Sequence, residues 1–260
     1  MCSPEAILFD LWGTLIDSAQ FDPSRGNAAL LARADNPRGA TLDQVEDLGR
    51  RLVTATIPRE EQSALEFTQW ALFRILSDSF GLRFSVPFAE LEWEFWTTSL
   101  TVNLRAGVGE MLEGVRGRGI RSCVISNSSF SAETIQRELE RQGIARFFEF
   151  VVSSADYGIR KPDALIFEAA LRRMQVPADR AWFAGDNIGY DIIGARAAGL
   201  FPVAYNARAP VPHTVSDYAA ISHWRELADL VERAGGDEGG PIAEPVLTDA
   251  DHPGQSRGQR

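Results

Sequence analysis

From Gly107 onward the chain alternates short apolar runs with amphipathic stretches, and few folds accept that rhythm. The predicted order is helix 109–118, strand 121–126, helix 132–142, strand 148–153, helix 164–174, strand 181–184 and helix 191–198. Residues 202–205 and 219–221 supply two further strands, and residues 224–233 a closing helix. Strands joined through helical crossovers lie parallel, and the crossovers cover both faces of the sheet. Such strands read as continuous apolar runs, as Cys123-Val124-Ile125 and Trp182-Phe183-Ala184 do. The predicted fold class is therefore α/β, a doubly wound, Rossmann-like parallel sheet. One early apolar run, Ala6–Phe9, adds a strand ahead of this block.

Between that first strand and the repeating block, residues 18–103 show no strand of comparable strength. Helical periodicity appears there at 27–34, 42–54, 60–79 and 87–99. This predicts a smaller all-helical domain, 18–103, inserted into a core built from residues 1–17 and 104–234. Its aromatics, Phe67, Trp70, Phe73, Trp93, Phe95 and Trp96, read as a packed interior rather than a pocket lining. Beyond Gly235 the chain is rich in Gly, Pro, Asp and Ser with few apolar anchors, so residues 235–260 are expected to form a disordered tail. With 36 acidic against 26 basic residues, the formal net charge of -10 argues against a surface that tracks nucleic-acid phosphates or anionic lipid. A small charged molecule is the expected partner, without nucleic acid or membrane, for a monomer or homodimer. Only Cys2 and Cys123 are present, and Cys123 lies inside an apolar run, which leaves no disulfide framework. The N-terminus enters a strand without a basic or long apolar leader, and a cytoplasmic location is expected.

Polar groups recur where the predicted strands end. Asp10 follows Ala6–Phe9, with Gly13 to turn the chain and Thr14 to offer a hydroxyl toward the same place. Ser126-Asn127 follows the strand at 121–126, where a hydroxyl and nearby N–H groups suit a phosphoryl oxygen, although Ser and Asn are also ordinary turn residues. Lys161 precedes Pro162, which holds it out of the helical register, and its ammonium would favour an ionised Asp10. Gly185-Asp186 ends the strand at 181–184, and Asp191 opens the next helix, where it would serve equally as a cap. Asp10 and Asp186 together offer hard oxygen ligands of the kind Mg²⁺ takes alongside a substrate phosphate.

As an ordered set, Asp10-x-x-Gly13-Thr14, Ser126-Asn127, Lys161-Pro162 and Gly185-Asp186-x-x-x-x-Asp191 resembles the haloacid dehalogenase-like hydrolase superfamily, from Ala6 to Arg233. The helical insert then resembles that family's first-type cap. The resemblance implies Asp10 as a nucleophile forming an aspartyl ester that water hydrolyses, with Thr14, Ser126 and Lys161 as its catalytic company. It implies substrate binding by Ser126, Asn127 and Lys161, and a Mg²⁺ site made by Asp10, the Trp12 backbone carbonyl, Asp186 and Asp191.

Trp12 departs from the pattern. Phosphatases of the family carry an Asp there as general acid and base, and an indole cannot fill that role. Such catalysis contributes about 10² to 10⁴ in rate, so the expected substrates are acyl or aryl phosphates, whose departing oxygens need little protonation. The leading expectation is a Mg²⁺-dependent hydrolase of a small phosphorylated metabolite acting through an aspartyl-phosphate on Asp10. A second is a 2-haloacid dehalogenase in which Asp10 attacks carbon; an aromatic residue at position 12 suits it, whereas Asp186, Ile188 and Phe167 do not. A third is a metal- and anion-binding regulatory module.

Overall fold

The strands are β1 (Ala6–Phe9), β2 (Ile16–Phe21), β3 (Leu100–Leu104), β4 (Arg121–Ser126), β5 (Val151–Ser153), β6 (Ala181–Gly185), β7 (Phe201–Tyr205) and β8 (Ala219–Ile221). The helices are α1 (Pro23–Arg33), α2 (Leu42–Ser63), α3 (Gln69–Phe80), α4 (Phe88–Ser99), α5 (Val108–Gly117), α6 (Ala132–Arg141), α7 (Ser154–Tyr157), α8 (Ala164–Met174), α9 (Gly194–Ala197) and α10 (Arg225–Gly235). This computed structural model describes residues 2–207, 209–213 and 215–235, with residues 58–61 described as backbone only. All but the first residue of the expected disordered tail therefore falls outside the described residues.

Six strands form one parallel sheet in the order β5-β4-β1-β6-β7-β8. β1 is central and fully buried, which explains why its four residues are apolar on both faces. Alternation divides them: Ile7 and Phe9 join the hydrophobic cluster that α5, α6 and α10 complete, whereas Ala6 and Leu8 join the cluster that α8 completes. Helices on both faces make the sheet doubly wound, as the βα rhythm predicts. Among the described residues, no helix is long and apolar enough to cross a membrane.

Helices α1 to α4 lie between β2 and β3, and their boundaries differ from the sequence reading for identifiable reasons. α1 starts four residues early because Asp22 caps it, its Oδ1 accepting from the N–H groups of Ser24 and Arg25, with Pro23 in the first turn. The stretch predicted as one helix from 60 to 79 is split. α2 runs through to Ser63, Ala64 adopts a φ of 52°, Leu65 bridges Ile159, and α3 restarts where Thr68 Oγ1 accepts from Ala71 N at 3.0 Å. The insert also carries strand structure where an all-helical unit was expected, because β2 and β3 pair antiparallel at its two ends. Five of the six residues of β2 are exposed, so it has no apolar alternation to reveal it. Asp17 on β2 accepts two hydrogen bonds from Arg105, each at 2.9 Å, at the end of this ribbon.

The insert is fastened to the sheet layer. Leu30, Phe73, Leu91, Phe95 and Trp96 belong to the same cluster as Ile7 and Phe9. Two fully buried glutamates join α4 to α6: Glu92 accepts from Ser131 N (3.1 Å), Ser131 Oγ and Thr134 Oγ1 (2.8 Å), and Glu138 accepts from Trp96 Nε1 at 2.9 Å. Glu92 thereby meets the first turn of α6, where a negative charge is favoured.

Burial raises the Glu92 carboxyl above its ordinary value near 4.5, against the opposing hydrogen bonds from Ser131 and Thr134. The folded state then holds this proton more tightly than the unfolded chain. Its contribution to stability is full below pH 4.5 and is lost as pH climbs through the raised value. Glu92→Gln cannot titrate, so the stability difference between wild type and this variant is expected to tilt against the wild type as pH rises from 4.5 toward neutrality. Urea unfolding at a series of pH values measures it, and a difference that grows in favour of the wild type contradicts this account.

Candidate active site

β1 delivers Asp10 to the carboxyl edge of the sheet, where the side chain is 6% exposed and its N–H donates to Ala184 O at 2.9 Å. Open α/β sheets collect ligands along this edge. Thr14 Oγ1 donates to one Asp10 oxygen at 2.8 Å, and Lys161 Nζ donates to the other at 2.7 Å. Lys161 also donates to Asp191 Oδ1 at 2.7 Å and to the Ile125 carbonyl at 3.0 Å. Burial alone would lower the Lys161 ammonium, but Asp10 and Asp191 reverse this and hold it above its ordinary value. Burial pushes the Asp191 carboxyl up to about 7, Lys161 drawing it down and Asp10 adding to the rise.

Two glycines make this crowding feasible. Gly13 has a φ of 76°, and a Cβ there would collide with the Asp186 carboxylate; a Cβ on Gly185 would collide with the Asp191 side chain. Asp191 is not a helix cap, as its sequence position also allowed. The cap is Asn187, whose Oδ1 accepts from Tyr190 N at 2.9 Å. The expected helix from 191 begins instead as a π-helical turn, Ile188–Ile193, which turns Asp191 inward to 1% exposure, with Asn187 N donating to its Oδ2 at 3.0 Å.

The structure brings one carboxylate oxygen each from Asp10, Asp186 and Asp191 within 4.8 Å of one another. Three carboxyl groups meet around one ammonium, and their oxygens are hard donors, so the cluster suits a divalent metal ion. Ser126 Oγ, at the end of β4, is fully buried and has no hydrogen-bond partner among the described residues. An orphaned buried hydroxyl at this edge is ready for an anionic ligand. Asn127, expected to bind substrate, uses both ends of its amide on Lys161: Nδ2 donates to the carbonyl at 2.9 Å, and Oδ1 accepts from the N–H at 2.8 Å. This fixes the loop that presents the ammonium. Trp12 is half-buried, with its ring 5.5 Å from that of Trp96, which in turn lies 4.9 Å edge-on to Phe130.

The sequence named no pocket in the insert, yet a cavity of about 630 Å³ opens between α1, α2 and α3 and the segment 127–130 that continues from Ser126. Phe67 and Phe95 line it, whereas Phe73 and Trp96 are packed interior as expected. Arg50 reaches it; Arg33 pairs with Glu94 and Arg51 with Asp47. Gln69 also lines it, and nothing in the spacing distinguishes that residue from an ordinary first-turn residue of α3.

The profile of the haloacid dehalogenase-like hydrolase family matches residues 4–199, which include every residue of this cluster. The chain belongs to that family. A glyceraldehyde 3-phosphate phosphatase of Methanothermobacter thermautotrophicus is 30% identical over 209 residues, covering 78% of this chain and 86% of that one. A phosphoglycolate phosphatase of Nitrosospira multiformis is 28% identical over 88% of this chain and 96% of that one. The solved structure of a 2-haloacid dehalogenase from Pseudomonas syringae pv. Tomato has a TM-score of 0.61 and 26% identity, covering 90% of this hydrolase and 99% of that chain.

Removing the ammonium leaves two carboxylates buried against each other. Breaking a buried ion pair at one partner costs about 3 to 5 kcal/mol, and Lys161→Met is expected to lose stability on that scale. Urea unfolding in EDTA at pH 8 tests it, and a loss below about 1 kcal/mol would show that the two carboxylates do not rely on this cation.

Proposed function

We propose that this hydrolase is a Mg²⁺-dependent phosphatase of small phosphorylated metabolites, with Asp10 as nucleophile and helices α1 to α4 as a cap over the site. The observation that carries the reading is the cluster of Asp10, Asp186 and Asp191 oxygens within 4.8 Å, with the Lys161 ammonium on two of them. The names of the two phosphatase relatives support the substrate class.

In this reading, an Asp10 oxygen forms a bond to phosphorus as the bond from phosphorus to the leaving oxygen breaks, and water then hydrolyses the aspartyl-phosphate to release inorganic phosphate. Thr14 and Lys161 hold the carboxylate in place, and the ammonium offsets charge on the phosphoryl oxygens. The Ser126 hydroxyl donates to one of those oxygens. Asp10, Asp186, Asp191 and the Trp12 backbone carbonyl would hold Mg²⁺, which would supply the positive charge that lets an anionic nucleophile approach an anionic phosphate. No proton comes from position 12, where the indole rests on Trp96. The leaving oxygen must therefore depart unprotonated, which acyl and aryl phosphates allow.

Acetyl phosphate and 4-nitrophenyl phosphate are expected to exceed glycerol 3-phosphate in kcat/KM by about 10² to 10⁴. Activity should vanish in EDTA, return with Mg²⁺ and be lost in Asp10→Asn. Equal turnover of the alkyl phosphate would sink the account of Trp12. The similarity to a solved dehalogenase keeps one other reading in view, in which Asp10 displaces halide from the carbon of a 2-halo acid. Halide release that persists in EDTA, without phosphatase activity, would establish that reading instead.

A further inference from the structure

The cavity beside the cluster is far larger than a three-carbon phosphate requires, and its walls are mostly apolar. Phe67, Leu72, Phe95 and Phe130 line it, with the Phe95 and Phe130 rings 6.1 Å apart. Several charged groups on the wall are engaged, since Arg160 faces Glu66 at 3.6 Å, Glu66 accepts from Ser154 Oγ at 2.5 Å, and Glu46 accepts from Ser24 Oγ, while Arg50 also lines it. Gln69 is different. Its side chain is 6% exposed and lines the cavity, and its buried Nε2 has no hydrogen-bond partner among the described residues. Its position is fixed, because its own N–H donates to the Ser129 carbonyl at 2.8 Å and Thr68 caps the helix it begins. An amide donor buried without an acceptor is costly unless a ligand supplies one.

Building on the phosphatase reading, we infer that this cavity receives the leaving group of the substrate, an aryl group carrying a hydrogen-bond acceptor that takes the Gln69 side-chain N–H. Aromatic walls suit an aryl ring by edge and face contact, and the cavity floor at 127–130 begins with Asn127, whose amide holds the Lys161 backbone by two hydrogen bonds, so a ring lodged there lies against the loop that carries the cluster's ammonium. An aryl oxygen is also the leaving group that least needs the acid missing at position 12. Gln69 is a specificity residue here and takes no part in bond breaking.

Binding of three ligands tests this in an Asp10→Asn background, which blocks turnover: 4-carbamoylphenyl phosphate, phenyl phosphate and glycerol 3-phosphate, titrated calorimetrically. The carbamoyl ligand is expected to bind about ten-fold more tightly than phenyl phosphate, the increment of one hydrogen bond, and glycerol 3-phosphate most weakly. Gln69→Met should bring the ratio of the two aryl ligands close to one, and Gln69→Leu should do the same if the methionine variant fails to fold. An unchanged ratio in the variants, or glycerol 3-phosphate bound as tightly as phenyl phosphate, overturns the inference. A wild type that hydrolyses phosphates but whose Asp10→Asn variant binds the carbamoyl ligand no more tightly than phenyl phosphate defeats this inference alone. A Gln69-dependent preference in a protein whose wild type hydrolyses no phosphate keeps the aryl site but defeats the phosphatase reading, and with it the assignment of that site to a leaving group.

Discussion

A lysine ammonium at 1% exposure can remain charged only if opposite charge meets it, and Asp10 and Asp191 do so at 2.7 Å each. The three residues lie far apart in sequence, on the end of β1, on the loop before α8 and in the turn after β6. The ammonium is the shared partner that holds those three segments at one point of the sheet edge. Removing it leaves two buried carboxylates facing each other, so the geometry and the charge state are set together. The remaining residues serve this arrangement: Thr14 orients Asp10, Asn127 holds the Lys161 backbone, and the glycines at 13 and 185 make room for Asp186 and Asp191.

The insert reaches the same edge through packing. Trp96 touches Trp12 on one side and Phe130 on the other, and its N–H ends on the buried Glu138 carboxylate. Because α1, α3 and α4 contribute to the hydrophobic cluster on one face of the sheet, the insert shares its interior with the core. α2 and the outer part of α3 form a separate small cluster around Val45, Leu72 and Leu76. The cavity lies between these two regions, bounded by the tightly packed part on one side and the looser part on the other.

Much of the sheet was legible in the sequence because buried parallel strands leave uninterrupted apolar runs: β4, β8 and α8 fall where the pattern puts them, and β6 and β7 differ by one residue. The polar residues at strand ends were legible for the same reason, since an apolar run that stops at Asp10, Ser126 or Gly185-Asp186 marks both an edge and a group with chemistry. β5 is shorter than its apolar run because Ala145–Phe147 forms a 3-10 turn and the sheet pairing begins at Val151. β2 was invisible because an exposed edge ribbon needs no apolar alternation. The break at Ala64 depends on a pairing with Ile159 almost a hundred residues away, which no local window contains. Gln69 was out of reach for a different reason: its significance lies in an unmet hydrogen bond, and a sequence does not record what a side chain fails to touch.

The contact between the indoles at 12 and 96 also constrains how this hydrolase can change over generations. A carboxylate placed at position 12 would sit against the apolar face of Trp96 and leave empty part of the space that the larger ring fills. Residues in direct contact do not change independently, so an acid at position 12 calls for a matching replacement on α4.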